Sequence, residues 1–288
     1  MRIANKIVYD MVKTNLENTT KELYQVQKVV ASGKRITKLS DDPIGVTQVL
    51  NIKSSLANIE QMGRNITMGT SWLTASESAL SNVQDLISES KALCVQMATA
   101  TTGAEERATA ANTVQNTLEE IISLANTEVN GRYIFAGSET DSPPFSQDGT
   151  YNGDNNPFKI KIGKDATVAV GCDGEAVFGT IFETLNDLKS ALESNTISGI
   201  EAAMDNLDSH FERISSQISD IGSKITRMEI KERIYEDSDL YNTERLSQIE
   251  DVDIAEAIID LESKELAYQA CLASSSRVME LSLLDYLE

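Results

Sequence analysis

The residues with chemistry to offer are few and scattered. A single histidine, His210, stands beside Phe211 in a stretch of helical periodicity, where it is expected as a solvated or rim imidazole. Cys94, Cys172 and Cys271 are odd in number and widely separated. That spacing suits buried or incidental thiols better than a disulfide framework or a metal cluster. Asp148-Gly149-Thr150-Tyr151-Asn152-Gly153-Asp154 opens like a calcium loop, but Thr150 stands third and Lys159 twelfth, where a bidentate Glu is needed. A plain turn is expected there. No Gly-x-Ser-x-Gly elbow, Gly-Lys-Ser/Thr phosphate loop or His-Glu-x-x-His helix occurs. No enzyme, cofactor or metal site is expected from this inventory. Trp72, next to Leu73, reads as core packing. Arg35, Arg64 and Arg132 are candidates for ion pairs between subunits or domains, because a guanidinium tolerates desolvated pairing better than an ammonium.

Patterning says more than chemistry. Steps of seven from Ile52 reach Ile59, Ile66, Leu73, Leu80, Ile87 and Cys94 without a break, which predicts one long helix with a narrow apolar seam. Running from about Pro43 to about Thr99, it would be on the order of 80 Å long. A second seam uses Met204, Leu207, Phe211, Ile214, Ile218, Ile221, Ile225 and Met228, weakens through Glu232, Tyr235, Asp239 and Asn242, and recovers at Leu246 and Ile249. Two seams that face nothing in their own helices are expected to face each other, so the chain doubles back as an antiparallel bundle.

The flanking segments follow. Val12, Leu16, Thr19, Leu23, Val26 and Val30 mark an amphipathic arm that Ser32-Gly33 ends. Ser40-Asp41-Asp42-Pro43 has the capping oxygens and the first-turn proline of a helix start. After Thr101-Thr102-Gly103, Val114, Leu118, Ile121 and Ala125 mark a returning helix of about 25 residues. Asn130-Gly131 stops it, and residues 132–137 read as extended. Residues 138–179 carry the turn pairs Asp148-Gly149, Asn152-Gly153 and Asp173-Gly174 between the β-type runs 158–162 and 167–170. Helix resumes with Ile181, Leu185, Leu188 and Leu192. A last helix is expected to use Ile254, Ile258, Leu261, Tyr268, Leu272, Met279 and Tyr286. The expected fold is mainly α: an elongated antiparallel helical bundle or coiled-coil rod with a small β insertion at one end. Its parts are terminal arms 1–40 plus 252–288, a helical rod 41–137 plus 180–251, and the insertion 138–179.

A net charge of −20 over 288 residues argues against nucleic acid or an anionic membrane as partner. The charge is uneven: residues 1–50 hold eight Lys and Arg against five Asp and Glu, whereas residues 251–288 hold two against nine. Two ends of opposite sign suit packing side by side. The arms are short and half apolar, so they are marginal alone and order by packing on other helices, including copies of themselves. No run of about 18 apolar residues spans a bilayer. The first residues, Met1-Arg2-Ile3-Ala4-Asn5-Lys6, do not read as a general-secretory signal, so departure from the cell would use a route without a cleaved peptide.

Ser32-Gly33-Lys34-Arg35-Ile36 followed by Ser40-Asp41-Asp42-Pro43 resembles the N-terminal signature of flagellins. Arg64-Asn65 and Ala75-Ser76-Glu77-Ser78-Ala79-Leu80 are similar to the Arg-Asn and Thr-Ala-Glu-x-Ala-Leu runs of flagellin-like chains. Gly131-Arg132-Tyr133-Ile134-Phe135-Ala136-Gly137, the stretch 252–258 and the ending Leu281-Ser282-Leu283-Leu284-Asp285-Tyr286-Leu287 resemble the hook-associated protein 3 branch of that family. The resemblance covers both terminal regions and is weak across the β insertion. It implies a structural subunit of the bacterial flagellum at the hook-filament junction, exported unfolded through the flagellar type III channel. Its implied partners are copies of itself in a junction ring, a neighbouring hook-associated protein, flagellin, and an export chaperone at the C-terminal region. It nominates Arg35, Asp41, Asp42, Arg64, Asn65, Arg132, Tyr133, Phe135, Leu283 and Tyr286 as assembly or interdomain contacts. A flagellin-type filament subunit and an intracellular coiled-coil scaffold are the alternatives.

Overall fold

The structure is a computed structural model that describes the backbone of residues 2–99 and 101–287 and the side chains of residues 6–99 and 101–277. The chain is mainly α. Helices α1 (Arg2–Ser32), α2 (Pro43–Met97) and α3 (Ala104–Ala125) precede the short strands β1 (Glu128–Val129), β2 (Arg132–Tyr133), β3 (Lys159–Lys161) and β4 (Thr167–Ala169). Helices α4 (Gly174–Phe178), α5 (Ile181–Glu193), α6 (Ile197–Glu250) and α7 (Ile254–Leu287) complete it. Among the described residues no helix is long and apolar enough to cross a membrane. Two compact units form, one from residues 1–58 with 238–288 and the other from residues 59–237.

The unit of residues 59–237 holds most of the buried core. Helices α2 and α6 run antiparallel within it, because Thr70 Oγ1 meets Met228 Sδ, Gln84 Nε2 donates to Ser215 Oγ at 2.8 Å, and Lys91 pairs with Asp208. As one residue number rises the other falls by nearly the same amount, as a shared seven-residue period requires. Ile66, Leu73, Leu80 and Ile87 are wholly buried on α2, and so are Leu207, Ile214, Ile221 and Met228 on α6. Each contributes roughly 2 kcal/mol of burial. The alternate members of the α6 seam, Met204, Phe211, Ile218 and Ile225, are half-buried at its edge.

Helix α3 folds back along α5, tied by Lys189 Nζ donating to Gln115 Oε1 at 3.0 Å. A buried arginine fixes the ends of this arrangement. Arg107 donates from Nε to Met97 O at 2.8 Å and from Nη2 to Thr99 O at 2.9 Å, where α2 runs out of helical donors, and from Nη1 to Asn195 Oδ1 in the α5–α6 turn. It faces carbonyls and the negative end of a 55-residue helix in place of a carboxylate.

The β segment is two antiparallel hairpins. β1 pairs with β2 around Asn130 and Gly131, both at positive φ, and β3 pairs with β4 in the register Ile160 to Val168. Asn65 Nδ2 donates to Lys161 O at 2.7 Å and Tyr235 OH to Ile162 O at 2.7 Å, so the second hairpin is tied to α2 and to α6. Gly69 allows this approach, since a Cβ there would strike Ile160 Cδ1 and Met228 Cε. Phe135, Phe145, Phe178 and Phe182 pack edge to face on one another. Trp72 is buried against Phe158, with ring centroids 5.4 Å apart. Residues 174–178, expected within a β insertion, form α4 instead, because Asp173 Oδ1 accepts from Glu175 N and Ala176 N and caps a helical turn. Of residues 132–137, expected as extended, only the first two form a ladder. The Asp148 turn closes on itself: Asp148 Oδ1 accepts from Ser146 Oγ and Thr150 N.

His210 corrects the sequence reading. It is buried, not solvated, because α5 covers the side of α6 that α2 leaves open. Its Nδ1 accepts from Arg213 Nη2 at 2.8 Å, which leaves Nε2 to donate to Thr184 Oγ1 at 2.9 Å, and that hydroxyl donates to Thr180 O. Burial, with the Arg213 charge adding to it, pushes the imidazole pKa down to about 4.

In the unit of residues 1–58 with 238–288, α1 packs on α7 in antiparallel sense: Lys264 Nζ meets Glu22 Oε2 at 3.0 Å, and Val252 N donates to Gly33 O at the other end. The ion pair inverts the net charges of the two arms, with the acid on α1 and the base on α7. Val12, Leu16, Thr19, Leu23, Val26 and Val30 form the α1 seam as expected, all half-buried. On α7 the phase differs. Ala257, Leu261, Lys264, Tyr268, Cys271 and Ser275 are the residues turned from solvent, while Ile254, Ile258 and Leu272 are exposed. The small Ala257 and Ser275 leave room for a neighbouring helix, which the larger residues beside them do not. Met279 lies outside the described side chains.

Two measurements check this packing. Arg107→Ala leaves the carbonyls of Met97 and Thr99 without donors and should cost about 3 kcal/mol in urea unfolding, with Arg107→Lys intermediate. A histidine whose pKa falls on folding binds a proton on unfolding, so its stabilisation is complete above pH about 6.5 and fades as pH drops toward 4. The melting temperature should therefore fall between pH 7 and pH 5, and His210→Gln should flatten that slope.

Candidate assembly site

Where α1 ends, the chain builds a clasp. Gly33, at φ 68°, is the left-handed residue that closes the helix, with its N–H bonded to Val29 O at 2.8 Å. The next residues lie antiparallel to the link between α6 and α7: Lys34 bridges Asp251, and Arg35 N donates to Glu250 O at 2.7 Å. Glu250 is the centre of the arrangement. Its buried Oε1 accepts from Lys34 Nζ at 2.9 Å and from Lys53 Nζ at 2.8 Å, which binds the arm connector, the first third of α2 and the end of α6 through one carboxylate. Desolvation works to raise its pKa, yet the hydrogen bonds and charges of Lys53 and Lys34 prevail and hold it below the ordinary value. The bond to Glu250 raises Lys34 in turn.

The nominated residues divide by location. Arg35 Nη2 donates to Ile249 O at 2.9 Å and lies 3.7 Å from Asp42 Oδ2, so it pairs inside the clasp. Asp41 Oδ2 accepts from Lys38 N, Thr37 N and Thr37 Oγ1. These bonds outweigh its desolvation and keep its pKa low. Asp42 Oδ1 accepts from Gly45 N and caps α2. Outside the clasp, Arg64 pairs with Glu60 and Gln61 along its own helix, and Asn65 holds the β3 end. Arg132 is exposed in β2, Tyr133 is half-buried with its N–H on Thr140 O, and Phe135 is wholly buried against Phe178. Leu283 and Tyr286 lie outside the described side chains. Glu250, Lys34 and Lys53 were missed, because nothing local marks an acid that binds partners about 200 residues away.

The decisive property is what the two units do with large apolar side chains. Residues 59–237 bury nearly all of theirs; only Met68, Val95, Ile230 and Ile234 stand among the exposed ones. The other unit buries Ile36, Val49, Ile52 and Ala257, and leaves open Ile7, Val8, Tyr9, Met11 and Tyr24 on α1, Leu39, Ile44 and Leu50 after it, and Ile259 and Leu266 on α7. The exposed large apolar side chains are thus concentrated in the unit of residues 1–58 with 238–288.

Comparison with known proteins matches the N-terminal part by a family model and the whole chain by relatives. The bacterial flagellin N-terminal helical region covers residues 3–140. Flagellar hook-associated protein 3 of Escherichia coli K12 is 26% identical over 98% of both chains. Its first 140 residues thus match a flagellin helical region, and its whole length is similar to hook-associated protein 3. A flagellin of Bacillus subtilis is 24% identical over 95% of this chain and 94% of its own. Among solved structures, Bacillus cereus FlgL superposes with a TM-score of 0.63 at 25% identity, covering 68% of this chain and 99% of that one. These relatives are structural proteins of the flagellum and not enzymes.

The clasp is testable in isolation from assembly. Glu250→Gln keeps the shape and removes the charge that Lys34 and Lys53 share. Amide exchange at Arg35 and Val252 should accelerate by about tenfold or more, with the amides of residues 59–237 unchanged.

Proposed function

We propose that this flagellin-like chain is a structural subunit of the hook-filament junction, and that residues 1–58 with 238–288 are its polymerising part. The observation that carries the reading is the exposed apolar surface of that unit, set against the well-buried residues 59–237. Arms that bury only half of each seam gain more by packing on neighbouring subunits than by staying alone. Subunits add at the growing end and their terminal helices order as they bury one another, so folding and assembly become one step. Likeness to hook-associated protein 3 of two organisms over 98% of this chain, together with a solved FlgL at 25% identity, favours the junction over the filament.

In this reading the chain travels unfolded through the flagellar type III apparatus, with an export chaperone on the C-terminal region, and acts outside the cell. Copies of the chain form a ring that meets a neighbouring hook-associated protein on one side and flagellin on the other. The free cysteines Cys94, Cys172 and Cys271 place no crosslink in the path of a threading chain.

Deletion of residues 1–35 should abolish filament attachment while leaving the helicity and melting of residues 59–237 in place. A deletion chain that still attaches filaments sinks the reading. Amide exchange on the purified chain at micromolar concentration gives the second check. Residues 1–32 and 255–288 should exchange fast and residues 59–237 slowly. Uniform protection in a stable dimer would favour a coiled-coil scaffold.

A further inference from the structure

Helix α7 has two faces of opposite use. At about 100° per residue, the half-buried and buried positions from Ala257 to Ser275 cluster on the side turned to α1. Ala255, Ile259, Leu266, Ala270 and Ala273 cluster diametrically opposite, and all five are exposed. The alternation of two large apolar residues with alanines repeats the 3-4 spacing of a helix-packing seam. Acids border it, Glu262 and Glu265 on one edge and Glu256 on the other. Nothing in this chain covers it among the described residues.

The outward face of α1 has the matching character. Opposite the seam from Val12 to Val30 stand Lys21 and Lys28, with Tyr24 beside them at 64% exposure. Glu17 lies on the same side but is engaged by Lys13. Tyr24 and Lys28 also line, with Arg35, Thr37, Lys38 and Asp41, a recess of about 180 Å³. That recess is basic, open, and sized for a carboxylate-bearing side chain.

We propose that the outer face of α7 in one copy docks on the outer face of α1 in a second copy, with Ile259 and Leu266 as the apolar contact and Glu262 and Glu265 set against Lys21 and Lys28. The proposal rests on the assembly reading above and deepens it, by naming which surface of the arms meets which. Two different faces of the same unit meet, so the contact is head-to-tail: each copy offers α1 to one neighbour and α7 to the other. Repetition of such a contact generates a closed ring or a helical array, never an isolated dimer. The charge pattern opposes the alternatives, because two α7 faces would bring Glu262 and Glu265 together and two α1 faces would do the same with Lys21 and Lys28.

A charge exchange on the full-length chain tests it, in a flagellated host lacking its own copy. K21E/K28E and E262K/E265K should each lower the fraction of cells with attached filaments by about tenfold or more, measured against equal amounts of exported protein. The chain carrying all four changes should return to within about threefold of the unaltered level, because each α1–α7 contact is then restored with its signs reversed. Normal attachment by either double variant overturns the proposal, and so does a four-fold variant no better than the double ones. Those results leave the junction reading standing as long as the unaltered chain attaches filaments; failure of the unaltered chain removes that reading itself.

Discussion

A seven-residue repeat makes a helix apolar on one narrow stripe, and such a helix is stable in water only when something of comparable length covers that stripe. Everything in this structure follows from where that requirement is met. Between Ile59 and Asp237, α2 and α6 cover each other, α3 and α5 close the remaining sides, and a small β segment ties the helices together through Asn65 and Tyr235. The result is a core in which the wholly buried Leu73, Leu80, Leu207 and Ile214 stand in two matched rows. In the other unit the requirement is met only halfway. Helices α1 and α7 cover one face of each other and leave the opposite faces to solvent.

That difference separates two tasks. The proposed assembly role rests on this difference: the arms' open apolar faces are the surface left for a neighbour, while residues 59–237 bury theirs. Within the unit of residues 1–58 with 238–288, the Glu250 carboxylate holds together the connector after α1, the early part of α2 and the end of α6. The Glu250 carboxylate, largely buried between two half-exposed lysines, is costly to leave unpaired, so the pairing defines geometry more than it adds stability.

The same logic explains the polar groups inside residues 59–237. Arg107 and His210 sit where a helix end or a helix-helix contact leaves backbone and hydroxyl groups without partners. Each answers local bonding needs and neither has the surroundings of a catalytic group. Arg107 meets carbonyls only, and His210 is locked as a neutral ring between a guanidinium and a threonine.

The sequence by itself determined the long-period features. The start of α2 at Pro43, the break at Gly33, the α2 and α6 seams, the α1 seam from Val12 to Val30 and the β character of residues 158–170 all follow from spacing and turn chemistry within a few residues of one another. The flagellin-like motifs at both ends were equally local. Only the tertiary structure decided which of two apolar faces of α7 turns to α1, that Asp173 nucleates a helix within a β stretch, that Phe135 lies in the core, and that His210 is buried beneath α5. It alone brought Glu250 to Lys34 and Lys53. The reason is physical: a periodicity reports that a helix has a face to bury, but what covers that face, and which distant charge meets a buried acid, depends on chain segments separated by hundreds of residues and joined only when the fold closes.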